Sequence, residues 1–375
     1  MATAVTPDIL RELAGFRAAN GCALSMYLDL DPSLAPTIPD AEKRFHSALS
    51  QAEKLAEKRA GGRDCRLALR DDIARLREWW DVERDRDGAH GLAIFVSSVD
   101  GFFRILPLAD GVGECVRIAP TLHLAPLAGA LETEGMLAAV VSRERGTVYR
   151  YEGGRLVEVV DESEEQPGQH DQGGWSQARY QRHIEHLVQQ HLKAVGSELD
   201  KRVHDRHLQL VIVGPEELRG EFEAELSKEA RDAIVGWTTA EAHAGPTELL
   251  AVVRPLLDEA RARADQEALA RFEEERGRGG RAAAGWKQVL AAASDARVDV
   301  LFVEEGAETR AWECPECGRA SADGGNCPLD GTKLEEREDA ADLAMHATLR
   351  NGGSIVRVGA GALGDAKGVG ALLRY

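Results

Sequence analysis

Gly173-Gly174-Trp175-Ser176-Gln177 separates two stretches that cannot belong to one element. Ahead of it runs an acidic, helix-poor tract, Asp161-Glu162-Ser163-Glu164-Glu165-Gln166-Pro167-Gly168-Gln169-His170. Behind it, from about Ala178, Ile184, Leu187, Val188, Leu192, Val195 and Leu199 recur at helical spacing with polar residues between them. Adjacent glycines let a backbone adopt φ > 0 or approach another molecule closely. The chain is therefore predicted to carry one side-chain amide, Gln177, on a loop aimed by a long helix. On local sequence alone, an ordinary Gly-rich linker before a helix fits as well.

The rest of the chain arranges itself around that loop as an α/β protein of three domains. Residues 1–132 read as an N-terminal α/β domain. Strands are predicted at Ala23–Leu30, Leu92–Val96 and Phe102–Leu106, the last two joined by the Asp100-Gly101 turn. Two helices are marked by Phe45, Leu49, Ala52 and by Leu69, Ile73, Leu76, Trp80, and the Trp79-Trp80 pair reads as helix packing. Residues 133–243 hold three strands (136–141, 147–151, 155–160), the loop and its helix, a buried strand at 208–213, a helix over 216–230 and a short strand at 233–235. Residues 244–375 begin with a helix from about Thr247 to Arg276, interrupted by Gly277-Arg278-Gly279-Gly280-Arg281. A helix around Trp286, Val289 and Leu290 and strands at 298–303 and 354–358 follow, which predicts an α/β/α sandwich.

At 375 residues, 43% hydrophobic and 29% charged, the composition is that of a globular protein. No run of 18 apolar residues and no secretory leader are present, so the sequence predicts a cytoplasmic protein with no membrane association. Thiols there stay reduced, and Cys22, Cys65 and Cys115 look scattered. A net charge of −18 excludes a surface that binds nucleic acid all over, but not a single basic face. From Gln177 to His207 the balance reverses: six Lys/Arg face four acids, a local +2, with five histidines (183, 186, 191, 204, 207) added. A solvated polar helix face and a phosphate-contacting one both fit that pattern.

His183 and His186 could share a face and a metal, but no carboxylate is spaced to join them as in a zinc protease, and the metal signal lies in one insert, residues 312–334. Cys314-Pro315-Glu316-Cys317-Gly318 has the C-x-x-C-G form of a zinc knuckle, and Cys327-Pro328-Leu329-Asp330-Gly331 repeats it with Asp330 in place of a fourth cysteine. Cys314, Cys317, Cys327 and Asp330 are thus the candidate ligands of a structural zinc, against a degenerate ribbon that keeps the turns without metal. No organic cofactor is implied, because no Walker loop, nucleophile elbow or G-x-G-x-x-G after a strand occurs.

Three features in this order resemble the archaeal and eukaryotic class-one peptide chain release factors and Pelota. They are Gly174-x-x-Gln177 between the strands and long helix of a middle domain, the knuckle insert, and the closing segment Gly368-Val369-Gly370-Ala371-Leu372-Leu373-Arg374-Tyr375. The chain looks closer still to that family's bacterial relatives, including the branch shared with eukaryotic ribosome-quality-control peptidyl-tRNA hydrolases. The resemblance implies a ribonuclease-H-like middle domain and a last domain similar to kink-turn-binding ribosomal proteins. It also implies hydrolysis of the peptidyl-tRNA ester on the ribosome, with peptidyl-tRNA and rRNA as partners and room for a translational GTPase. Gln177, with Gly173 and Gly174, would carry the chemistry, while Arg179, Arg182 and Lys193 would hold RNA. The first domain has no Asn-Ile-Lys-Ser decoding motif, which points to codon-independent rescue of stalled ribosomes. The interrupted Gly-Gly-Trp-Ser-Gln loop leaves a second expectation open, a non-catalytic hibernation or stress factor in the ribosomal A site.

Overall fold

The computed structural model describes residues 5–58, 62–82, 89–128, 136–152, 154–161, 177–205, 208–241, 243–307 and 309–375. By packing the chain divides into two compact units, one formed by residues 1–132 with 265–375 and the other by residues 133–264.

The first helix, α1 (Pro7–Gly15), is started by Thr6, whose hydroxyl accepts the Ile9 N–H at 3.2 Å. β1 (Ala23–Asp29), α2 (Ile38–Lys58), α3 (Gly62–Val82), β2 (Gly91–Ser97), β3 (Phe102–Leu108), β4 (Cys115–Ala119) and α4 (Ala125–Ala128) follow. The sheet order is β3-β2-β1-β4, antiparallel throughout. Because side chains alternate along a strand, β1 serves two cores. Leu24, Met26 and Leu28 meet Phe45, Leu49, Leu69, Ile73 and Trp80 of α2 and α3. Ala23 and Tyr27 face the opposite side. Trp80 stacks on Phe45 with ring centroids 4.1 Å apart, which is the packing role the sequence suggested. One expectation fails here: Cys22 and Cys65 are not independent thiols. Cys22 precedes β1, Cys65 lies in the first turn of α3, and the two form a disulfide with Cα atoms 5.9 Å apart. Their separation of 43 residues hides this, since only the packing of α3 on the sheet brings them together.

The second unit contains β5 (Met136–Val141), β6 (Gly146–Glu152), β7 (Arg155–Asp161), α5 (Gln177–Asp205), β8 (Gln209–Val213), α6 (Arg219–Ala224), α7 (Lys228–Asp232), β9 (Ile234–Thr238) and the first part of α8 (Pro246–Gly277). Its five-stranded sheet runs β7-β6-β5-β8-β9, with β5, β8 and β9 parallel and the β5-β6-β7 meander antiparallel. α5, α6 and α7 cover one face, while Leu249, Val253 and Leu257 of α8 cover the other. The single helix expected over 216–230 is broken in two. Ser227 takes over as a cap, its hydroxyl accepting from Ala230 N and its own N–H donating to Asp200.

The remainder of the first unit adds β10 (Ala282–Ala284), α9 (Trp286–Ser294), β11 (Val298–Glu304), β12 (Ala311–Glu313), β13 (Ala320–Ser321), β14 (Glu335–Arg337), α10 (Ala340–Arg350), β15 (Ser354–Val358) and β16 (Val369–Leu373). The closing segment becomes β16, an inner strand in the order β10-β16-β11-β15. Gly370 has no alternative there, because a Cβ at that position would lie 2.5 Å from the buried Phe272 ring of α8. The other face of this sheet, with α9 and α10, shares a core with α1 and Tyr27. His346 of α10 ties it together, its ring nitrogens 3.0 Å from the Ala14 carbonyl and 2.6 Å from that of Leu122.

Candidate functional site

The platform for the loop is built from α5. Val188, Leu192, Val195 and Leu199 are buried against β5, β6 and β8, as their spacing predicts. The helix lies close to β6 because Gly146 has no side chain: a Cβ would stand 2.3 Å from Val195 Cγ2 and 2.9 Å from His191 Cε1. Gln177 is the first residue of this 29-residue helix. An α-helix leaves its first four N–H groups unpaired and carries a positive partial charge at that end, and no acid in the first turn of α5 offsets it. Gly173 and Gly174 lie outside the described residues, as do the side chains of Gln177, Arg179 and Arg182, which fall in the first two turns. Lys193 is exposed, while Lys201 and Arg202 are both paired with Glu198, at 2.5 and 2.7 Å. The histidines do not all share its polar face: His186 is exposed, but His191 is buried with neither ring nitrogen hydrogen-bonded.

The knuckle insert brings Cys314, Cys317, Cys327 and Asp330 together, with their ligand atoms all within 4.8 Å of one another. Its two halves have the same backbone. Gly318 N–H donates to the Cys314 carbonyl and Gly331 N–H to that of Cys327, each at 2.9 Å. Cys314 N–H in turn donates to Arg319 O, and Cys327 N–H to Thr332 O. Both glycines are left-handed, with φ of 73° and 77°, so the second knuckle keeps its turn although its last ligand is an aspartate. The Asp330 carboxylate lies 3.4 Å from Cys314 Sγ, and Cys317 and Cys327 sulfurs are 3.6 Å apart. Hydrogen bonds from Thr332, backbone first and then hydroxyl, hold Asp330 down to about 2, so it is ionised and acceptor-only at neutral pH. Three thiols and one carboxylate converging in this way are a donor set that suits a tetrahedral dication. The interrupting Gly277–Arg281 stretch is a helix end rather than a free basic loop, since Arg278 is paired with Glu274 and Glu275.

A further cluster escaped sequence reasoning: His123, Asp339 and Asp342. Asp339-x-x-Asp342 reads locally as a helix start, and nothing in the chain links it to a histidine 219 residues away.

Comparison with known proteins adds to this geometry. Residues 123–261 match the model of bacterial archaeo-eukaryotic release factor family 10, a stretch that holds the loop and the whole of α5. The chain is similar to peptide chain release factor subunit 1 of Methanopyrus kandleri, with 25% identity over 332 residues covering 83% of this chain and 77% of the relative. To the same factor of Archaeoglobus fulgidus it is 29% identical over 210 residues, 52% of this chain and 51% of the relative. Over residues 123–261 this chain is release-factor-like. It spans about half the length of the Archaeoglobus factor and three quarters of the Methanopyrus one. Among solved structures, Pelota of Archaeoglobus fulgidus is similar at 14% identity and a TM-score of 0.33, covering 76% of this chain and 79% of that one.

Proposed function

We propose that this release-factor/Pelota-like protein acts on ribosomes, cleaving the ester between peptide and tRNA on stalled complexes without reading a codon. The observation that carries this reading is the position of Gly173-Gly174-Trp175-Ser176-Gln177. In sequence it leads directly into α5, a helix anchored by buried Val188, Leu192, Val195 and Leu199, inside the stretch that matches the release-factor family. An amide does not titrate usefully, so Gln177 is no general base. Its backbone N–H stabilises the oxyanion that develops on the ester carbonyl, and its side chain orients the attacking water. Gly173 and Gly174 let the loop enter a crowded RNA cavity. Arg179, Arg182 and Lys193 contact phosphate, with the unpaired N–H groups at the start of α5 adding to the attraction.

In this reading Cys314, Cys317, Cys327 and Asp330 hold a structural zinc that closes the insert, which has a core of only Cys314, Cys327, Leu334 and half-buried Trp312. Ribosomal RNA and peptidyl-tRNA are the partners, a translational GTPase is the delivering factor, and the compartment is the cytoplasm, where the Cys22–Cys65 disulfide is an exception to the usual reduced thiols. Among the described residues no helix is long and apolar enough to cross a membrane. The five-stranded mixed sheet with helices on both faces supports a ribonuclease-H-like middle domain. The sandwich around β16 likewise supports the kink-turn-binding type for the last one.

The two residues interposed between Gly174 and Gln177 favour a second reading, an A-site hibernation factor that binds and hydrolyses nothing. One experiment separates them: ribosome co-sedimentation and peptidyl-tRNA cleavage measured together for the wild type and Gln177→Ala. Cleavage by the wild type that Gln177→Ala loses while still co-sedimenting supports the enzyme. Binding by both with cleavage by neither supports hibernation. No binding at low salt removes both readings, because phosphate-driven association is strongest there.

A further inference from the structure

Where the segment after β4 meets the start of α10, a cavity of about 650 Å³ opens within the first unit, lined by Cys115, Arg117, His123, Glu338, Asp339 and Asp342 among others. Its inner wall is fixed by backbone hydrogen bonds. Asp339 caps α10, its Oδ1 accepting from Asp342 N at 3.1 Å. Asp342 Oδ1 accepts from Leu124 N at 2.9 Å and from Ala125 N at 3.3 Å. His123 is held at both ends of its own peptide, its N–H donating to Ser25 Oγ and its carbonyl accepting from Tyr27. Each carboxylate thus spends one oxygen on the backbone and turns the other toward His123 Nδ1, at 3.2 Å for Asp342 and 3.8 Å for Asp339. His123 and Asp342 are buried, whereas the Asp339 side chain keeps 22% of its surface open.

One ring proton can bond to only one of those oxygens. A protonated His123 between two carboxylates leaves the buried trio with a net charge of −1. Arg117 lies near Asp339 but is shared with exposed Glu338, its ion-pair partner at 3.6 Å. A dication in place of the proton brings the trio to neutrality and uses both free oxygens at once.

We propose that His123, Asp339 and Asp342 form a divalent-cation site, separate from the knuckle, that takes a first-row ion through one imidazole nitrogen and two carboxylate oxygens. The three donor atoms lie within 4.8 Å of one another, and a set of one nitrogen and two oxygens suits ions such as Mn²⁺ better than the thiolate-rich knuckle does. Remaining coordination positions face the cavity. The bound ion also clamps the segment before α4 to α10. This inference stands apart from the ribosomal reading, since it needs no property of the Gln177 loop.

The probe is Mn²⁺ alone, titrated into the full chain and followed by the electron paramagnetic resonance of the free ion. Asp339→Asn is the informative variant, because asparagine caps a helix as well as aspartate does and only the charge is lost. Cys317→Ser controls for the knuckle. Expected are one Mn²⁺ per wild-type chain, binding weakened on the order of 10-fold or more in Asp339→Asn, and no change in Cys317→Ser. Should Asp339→Asn fold poorly, a rise in wild-type melting temperature with Mn²⁺ that persists in Cys317→Ser supports the site, and its absence counts against it. No Mn²⁺ bound at roughly 1 mM, equal binding by Asp339→Asn, or loss in Cys317→Ser instead would overturn the site.

Discussion

Gly146→Ala tests whether the seat of α5 on β6 is as tight as the structure shows. The new methyl carbon would fall 2.3 Å from Val195 Cγ2 and 2.9 Å from His191 Cε1. Val195 is fully buried and His191 2% exposed, so neither can swing into solvent. Helix and strand must part by about an ångström or the side chains leave their rotamers. Overpacking of this kind costs ~1–3 kcal/mol. Replacing glycine also restricts the unfolded chain, which returns ~0.4–1 kcal/mol, leaving a net loss of about 1–2 kcal/mol. Peptide-resolved hydrogen exchange is the right assay, because a chain of two compact units need not unfold in one step. Amides of β6 and the buried part of α5 should exchange ~5–30-fold faster, while those of α2 and α3 stay unchanged. Val195→Ala alone loses packing, but in combination with Gly146→Ala it removes the nearer of the two clashes, so the double variant should be less destabilised than the sum of the singles. Strict additivity, or a Gly146→Ala protein with wild-type protection, would refute the close approach.

Three other outcomes follow from named contacts. Ser227→Ala removes the hydroxyl that starts α7 and should destabilise the second unit by about 1 kcal/mol in urea unfolding, whereas Ser227→Asn should lose little. Cys314→Ser should lower zinc retained after chelator-free purification from one equivalent to a small fraction, and Asp330→Cys, which restores a fourth thiolate, should resist chelator on the order of tenfold better than the wild type. Asp72 is buried with one oxygen bonded to Ser98 N and the other unpartnered, and burial raises its carboxyl above the ordinary value of about 4. A folded state that holds this proton longer than the unfolded one loses stability as pH rises from the unfolded value through the folded one. Asp72→Asn should abolish that part of the pH dependence, measured as denaturation midpoints between about pH 4 and 7.

How far the sequence could be read depended on how far apart the deciding residues lie. The β2–β3 hairpin, the meander of β5, β6 and β7 and the stripe of α5 were all legible, because turn residues and periodicity act within a dozen positions. β10 was not: Ala282–Ala284 has no strand signature, and its place at the sheet edge is fixed by pairing with β16 some ninety residues on. β4 was equally mute, since only Val116 of its five residues is buried. The helix break at Ser227 was locally written, as a cap followed by Glu229, but apolar spacing on both sides masked it. Sites follow the same rule. Cys314 and Cys317 announce the knuckle because its ligands sit three residues apart on a turn. His123 and Asp342 declare nothing until α10 closes over the segment before α4.

This difference bears on how the loop should be probed. α5 is a platform whose fit is set by Gly146, Val195 and Leu199, whereas the proposed chemistry belongs to Gln177 at its end. A variant that loosens the platform should weaken ribosome binding and cleavage together, because the whole N-terminal end of α5 loses its aim. Gln177→Ala should leave the exchange protection of α5 and ribosome binding intact and remove cleavage alone. If both variants instead lower cleavage in proportion to binding, Gln177 acts as one more contact on an RNA-facing helix. The hydrolytic reading then fails while the docking of α5 stands.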